Sequence, residues 1–167
     1  MASLKRCYWA YIHTLQYIQP AFLLVVRLLI GLGFVLAGSG KLQHPDAAAK
    51  QFAEFGVPMP AANVYLAGTA ETVCGALLVL GAASRVITLP LIGTMVVAYA
   101  TAHKGVFLCM ADRPIAFAQA FVSAPPFSYL VVVLVVLLFG PGLFSVDGLL
   151  KRLYFDKPRP AQGTAHE

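Results

Sequence analysis

The chain has 167 residues, 59% of them hydrophobic and 11% charged, with 12 Lys and Arg against 7 Asp and Glu for a net charge of +5. A water-soluble domain carries about a quarter charged residues, so these side chains cannot coat a particle of this size, and most of its surface faces lipid. The basic residues border apolar runs, where anionic lipid and membrane topology account for them, and nucleic acid is not expected as a partner.

Residues 1–19 carry Tyr8, Trp9, Tyr11 and Tyr17 beside Lys5 and Arg6, the pattern of an aromatic segment lying on the cytoplasmic leaflet. The first span is expected over 21–40, broken by one charge, Arg27. Residues 45–55 mix Asp46, Lys50 and Glu54 with alanines, Phe52 and Phe55 before Gly56-Val57-Pro58, which predicts a short interfacial helix stopped by glycine, a lid on the outer face. A second span over 62–82 contains Glu71, and a third over 86–102 has Pro90 in its first turns. The short link Gly81-Ala82-Ala83-Ser84-Arg85 makes these two an antiparallel hairpin. Between His103 and Pro126, the run of Ile115, Phe117, Phe121 and Val122 after Asp112-Arg113-Pro114 lies in the interface or dips into it. The fourth span, 127–139, is short, ends at Pro141 and Gly142, and is completed by Leu143 and Phe144 at the interface. Residues 156–167 turn polar and read as a disordered cytoplasmic tail. The expectation is an all-α fold, an integral membrane four-helix bundle over 20–155 with short interfacial helices.

Four spans put both termini on one side. That side holds Lys5, Arg6, Arg85, Lys151, Arg152, Lys157 and Arg159 against Lys41, Lys50, Lys104 and Arg113 on the other, so both termini are expected in the cytoplasm.

Arg27 and Glu71 are the informative charges, because an ionised side chain at mid-bilayer costs roughly 2.5–3.5 kcal/mol on insertion scales and persists when paired or functional. Counted from the span ends, Arg27 lies about 9 Å and Glu71 about 16 Å from the cytoplasmic side, a gap an arginine can bridge. Two readings stand side by side: a buried ion pair that fixes helix register, or a site for a polar headgroup or a moving proton. Gly68, Thr72 and Gly75 leave the flank of Glu71 narrow, and Arg27, Gly31, Phe34 and Gly38 form one ridge that continues to Lys41; both patterns suit close helix packing.

His103, at the outer end of the third span, is a candidate for proton transfer or a polar ligand site, or simply a snorkelling interfacial histidine. His13, His44 and His166 lack metal-ligand spacing, so no metal site is expected. Cys7, Cys74 and Cys109 form no C-x-x-C, and Gly38-Ser39-Gly40-Lys41 is an incomplete phosphate loop with no preceding strand, so no nucleotide is expected.

Taken in order, these features resemble the DoxX family of small four-helix bacterial inner-membrane proteins over residues 27–150. The matching residues are Arg27, Gly38-x-x-Lys41, the 52–58 segment with its Gly-x-Pro, Glu71 followed by Gly75, the turn from Leu80 to Arg85, and the closing Gly140-Pro141-Gly142-Leu143-Phe144-Ser145-Val146-Asp147. Leu143 stands where the family signature has a basic residue, and the start of the fourth span lacks an acidic one. The resemblance implies a cytoplasmic-membrane protein linked to redox work, with Arg27, Lys41, Glu71 and His103 as polar core positions and Ser145 and Asp147 at the last helix break. From the residues alone, Asp147 can cap the helix that follows it.

The leading hypothesis is a quinone-binding membrane subunit, incomplete as an enzyme by itself, working with a redox-protein partner that carries the electron centre; the sequence holds no evident carrier of its own. The alternatives are a non-catalytic scaffold subunit and a small permease. The permease ranks last, because no inverted repeat is visible.

Overall fold

The computed structural model describes residues 2–108, 110, 113–140, 142 and 145–154. The tail at 156–167, Pro141, Leu143, Phe144, Cys109 and Asp112 lie outside the described residues, and so does what the sequence predicts for them. Among the described residues the secondary structure is helical throughout, without strands.

Helix α1 (Ala2–Gln43) runs without a break through the boundary expected between residues 19 and 20, with Pro20 inside it. Proline forgoes one hydrogen bond, but a helix among apolar neighbours keeps every other backbone bond, since no water competes for them. The aromatic segment and the first span are therefore one helix. Helix α2 (Pro45–Glu54) is the short helix expected before Gly56. Gly56, at φ +77°, donates to Ala53 O at 2.9 Å and Val57 N–H donates to Phe52 O at 2.9 Å, the paired bonds of a Schellman stop.

Helices α3 (Pro60–Leu80) and α4 (Ser84–Thr101) form the predicted hairpin. The turn between them uses the same device: Gly81, at φ +70°, donates to Leu78 O and Ala82 to Leu77 O, both at 3.1 Å. Helix α1 packs along α3 through small residues. A Cβ built on Gly38 would stand 2.6 Å from Thr72 N and 2.7 Å from Gly68 O, and one on Gly75 would stand 2.8 Å from Phe34 Cβ and 3.0 Å from Gly31 O. Without a hydrophobic drive between helices in lipid, this backbone approach is what gains dispersion contact.

Helix α5 (Gly105–Leu108) is a single turn, and α6 (Pro114–Ser123) leads into α7 (Pro126–Phe139) across a 78° bend. By length and composition α1, α3 and α4 can each cross a membrane, and α6 with α7 is a broken span or a re-entrant segment. The 14 residues of α7 give about 21 Å of helix, short of the roughly 30 Å hydrocarbon core, which is why the bend matters. Helix α8 (Val146–Tyr154) follows. The core joins Phe34, Leu78, Ile87, Leu91, Met95, Val133 and Val136 from α1, α3, α4 and α7. The fold is the expected all-α membrane bundle.

Candidate functional site

A chamber of about 530 Å³ opens among α1, α3, α4 and α7, in the range of roughly 300–1,000 Å³ typical of small-molecule sites. Phe34, Ala67, Ala70, Met95 and Tyr129 are among its walls, and Phe52, Phe55 and Val57 of the α2 stop roof the end where α1 and α2 meet. Val57 is buried, held there by the Schellman bond to Phe52.

One ion pair stands on this apolar wall. Lys41 Nζ donates to Glu71 Oε2 in a short contact, with the two side chains 24% and 5% exposed. The glycine packing sets their meeting. Gly38 faces Gly68 and Thr72, side chains on a helix lean toward its N-terminus, and the helices are antiparallel. Lys41 therefore leans back toward the level of Gly38, and Glu71 leans toward Lys41 from the other side. Thr72 stays out of the way, its hydroxyl donating to Gly68 O at 2.7 Å. A buried carboxylate with an ammonium partner can hold a ligand's hydrogen-bonding head, and among the described residues the remaining wall carries no other charge.

Arg27 is not the partner of Glu71. Eleven residues of helix separate Arg27 from Gly38, roughly 16 Å, and its side chain leans away toward the other end of the bundle. The expected 7 Å gap between the two charges assumed that the first span starts near residue 21, whereas the glycine contacts place Arg27 level with Gly81. Arg27 is 2% exposed, and a Cβ on Gly81 would lie 2.7 Å from Arg27 Nη1 and 2.6 Å from Ser145 Cβ.

Around Arg27 the carboxyl-terminal motif closes on the hairpin turn. Asp147 accepts from Ala83 N–H at Oδ1 and from Ser84 N–H at Oδ2, both at 2.8 Å, and its own N–H donates to Gly81 O at 3.1 Å. Asp147 therefore caps α4, sixty-four residues earlier at Ala83, instead of its own helix. The α8 start is capped by Ser145, whose hydroxyl accepts from Gly148 N–H at 3.0 Å and donates to Gly142 O at 2.7 Å. Asp147 also draws the Arg27 guanidinium electrostatically. Gly140 and Gly142 ahead of this segment both lie at φ +82°, a backbone conformation open to glycine.

His103 does not line the chamber. It stands 6.1 Å, ring to ring, from Tyr99, in an aromatic group with Phe107, Phe117, Phe121 and Phe127. The buried Tyr99 hydroxyl donates to Phe121 O at 2.8 Å and its ring stacks on Phe121 at 4.6 Å, tying α6 to α4. The sequence-predicted polar set thus divides into Lys41 and Glu71 at the chamber, Arg27 and Asp147 at the terminal end, and His103 in the aromatic group. The chamber-lining residues Asn63, Thr94, Pro126 and Tyr129 were not singled out in the sequence; Tyr129 had a faint signal, since it reaches across to the small Gly33 and its ring lies 4.9 Å from Phe34.

Helices able to cross a membrane, gathered around an apolar chamber with an ion pair on its wall, define a small multi-pass membrane protein. The DoxX family model matches residues 22–104, from the buried face of α1 to the end of α4, with both Lys41 and Glu71 inside the match. An uncharacterised membrane protein of Mycobacterium tuberculosis is 31% identical over 139 residues, 80% of this chain and 83% of that relative. The chain belongs to the DoxX family. No solved structure matches it.

Proposed function

We propose that this protein is a membrane subunit of a redox complex and that it binds quinone in the chamber beside Lys41 and Glu71. The carrying observation is the Lys41–Glu71 ion pair set in a largely apolar, ligand-sized space among helices able to cross a membrane. A quinone head is flat, uncharged and edged by two acceptor oxygens, and the residues present suit it. Lys41 can donate to a carbonyl oxygen, Glu71 can hold or give up the proton, and Phe34 and Tyr129 offer ring surfaces. Because the pair is neutral overall, an uncharged head enters without leaving a net charge buried.

When bound, quinone supplies two-electron, two-proton carrier chemistry dissolved in the membrane. The chain's own part is to seat the head and move a proton at Glu71 Oε2, while Lys41 holds that carboxylate in place. The absence of a C-x-x-C pair or dinucleotide motif from the sequence supports a partner subunit that brings the electron centre. We place the protein in the bacterial inner membrane with both termini cytoplasmic, which puts the Lys41 end in the outer half. The bonds from Asp147 to the hairpin turn favour a second reading, a scaffold subunit whose terminal end is locked for assembly; its mark is dispersal of a larger complex on native gels when the chain is deleted.

Purification in mild detergent followed by extraction and identification of bound quinone tests the proposal. The wild type should retain quinone, and Glu71→Gln should retain several-fold less while still inserting and eluting as folded protein. Equal retention, or none in the wild type, contradicts the reading.

A further inference from the structure

The chamber has an opening on its side. Leu66 of α3 and Val97 of α4 both line it, yet they are 69% and 50% exposed, so they stand at its rim. Pro90 and Gly93 of α4 line it too, and a Cβ built on Gly93 meets nothing within 4 Å, which marks open space along that face of α4. Near the hairpin turn the two helices share the core through Leu78, Ile87 and Leu91. Farther from the turn α4 directs Tyr99 to Phe121 of α6, and the exposed lining residues Leu66 and Val97 mark the gap between α3 and α4.

We infer that the chamber is filled from the bilayer, sideways between α3 and α4, by an amphiphile whose hydrophobic tail remains in that gap while its head reaches Lys41 and Glu71. The rim residues Leu66, Pro90, Gly93 and Val97 are all uncharged and apolar, the chemistry of an acyl or isoprenoid chain and not of a water-borne solute. Entry from water at the α2 end meets the roof of Phe52, Phe55 and Val57. Both rim helices are long and apolar enough to cross a membrane, so the gap opens on surface suited to lipid. The depth of the pair fits as well. Lys41 lies near the end of α1, so a head held there sits toward the interface and its tail follows the bilayer inward. This inference rests on the chamber being a ligand site, but not on the ligand being quinone.

A tryptophan reporter tests it without quinone. The chain has one tryptophan, Trp9, so Trp9→Phe gives a silent background, and Ala98→Trp places a fluorophore on the chamber wall, with Ala70→Trp on the facing helix as a second variant should the first not insert. In nanodiscs of phosphatidylcholine brominated at mid-chain, emission should fall roughly twofold or more against unbrominated lipid, because bromine at that depth of the hydrocarbon core reaches the chamber through the gap. Aqueous iodide should do little. Adding Leu66→Phe and Val97→Phe should restore much of the emission by narrowing the gap. Quenching by iodide without quenching by bromolipid would overturn lateral entry, as would bromolipid quenching untouched by the narrowed rim. Loss of quinone retention leaves these readings unchanged, so the two proposals fail separately.

Discussion

Glu71 faces Lys41, thirty residues earlier in the chain, while Arg27 on the same ridge of α1 is enclosed at the opposite end of the bundle. A half-buried and a buried cation on one helix therefore do different work. One borders a ligand-sized chamber, and the other packs under the turn that joins α3 to α4.

The Lys41–Glu71 pair should behave as a coupled unit. Lys41→Met leaves a carboxylate 5% exposed without its ammonium, and Glu71→Gln removes the opposite charge. Because Lys41 keeps partial contact with solvent, the coupling is expected at roughly 0.5–3 kcal/mol, below the cost of breaking a fully buried pair. A double-mutant cycle on thermal unfolding in detergent measures it. Strict additivity would mean that the two side chains do not interact.

Asp147 acts as a helix cap across sequence. Asp147→Ala strips both acceptors from Ala83 and Ser84 N–H and should destabilise the fold by about 0.5–2 kcal/mol, whereas Asp147→Asn, which keeps one acceptor, should cost less. Thermal unfolding of the two variants in the same detergent checks the order. An equal loss would mean that the negative charge beside Arg27, and not the hydrogen bonding, is what counts.

Two glycines with left-handed backbone separate conformational strain from crowding. At Gly56, φ +77° with nothing within 4 Å of an added Cβ, alanine should cost roughly 1–2 kcal/mol. At Gly81 the same substitution also drives a methyl group into Arg27 and Ser145, so its loss in unfolding measurements should clearly exceed that at Gly56. Similar losses would place Arg27 elsewhere.

His103→Gln should leave quinone retention at the wild-type level, since His103 lies in the aromatic group around Tyr99 and outside the chamber lining. Parallel extraction of the two purified proteins checks this. A several-fold drop would return His103 to the ligand site.

Much of this architecture is readable in the residues. The link from Gly81 to Arg85 is too short for anything but a hairpin, Gly56 after an amphipathic run announces the end of α2, and glycines seven residues apart, Gly31 and Gly38 on α1 and Gly68 and Gly75 on α3, foretell their packing. What the sequence conceals is depth. The pairing of Arg27 with Glu71 depended on where the first span begins, and with α1 continuous through Pro20 the hydropathy run has no physical edge there. Register is set instead by Gly38 against Gly68 and Thr72, a contact that periodicity suggests but cannot align. Asp147 illustrates a second limit. Capping rules look a few residues downstream, and a carboxylate that folds back onto a distant turn leaves no local pattern. The chamber itself is lined jointly by α1, α3, α4 and α7, a property of four helices together.

The most direct measurement is a quinone titration of the purified protein in nanodiscs, followed by fluorescence, for the wild type, Glu71→Gln and Lys41→Met. Saturable binding by the wild type and an affinity at least about tenfold weaker in each variant, close to 1.4 kcal/mol, is the predicted result. Indistinguishable affinities in all three proteins, or no saturable binding by the folded wild type, would contradict the account.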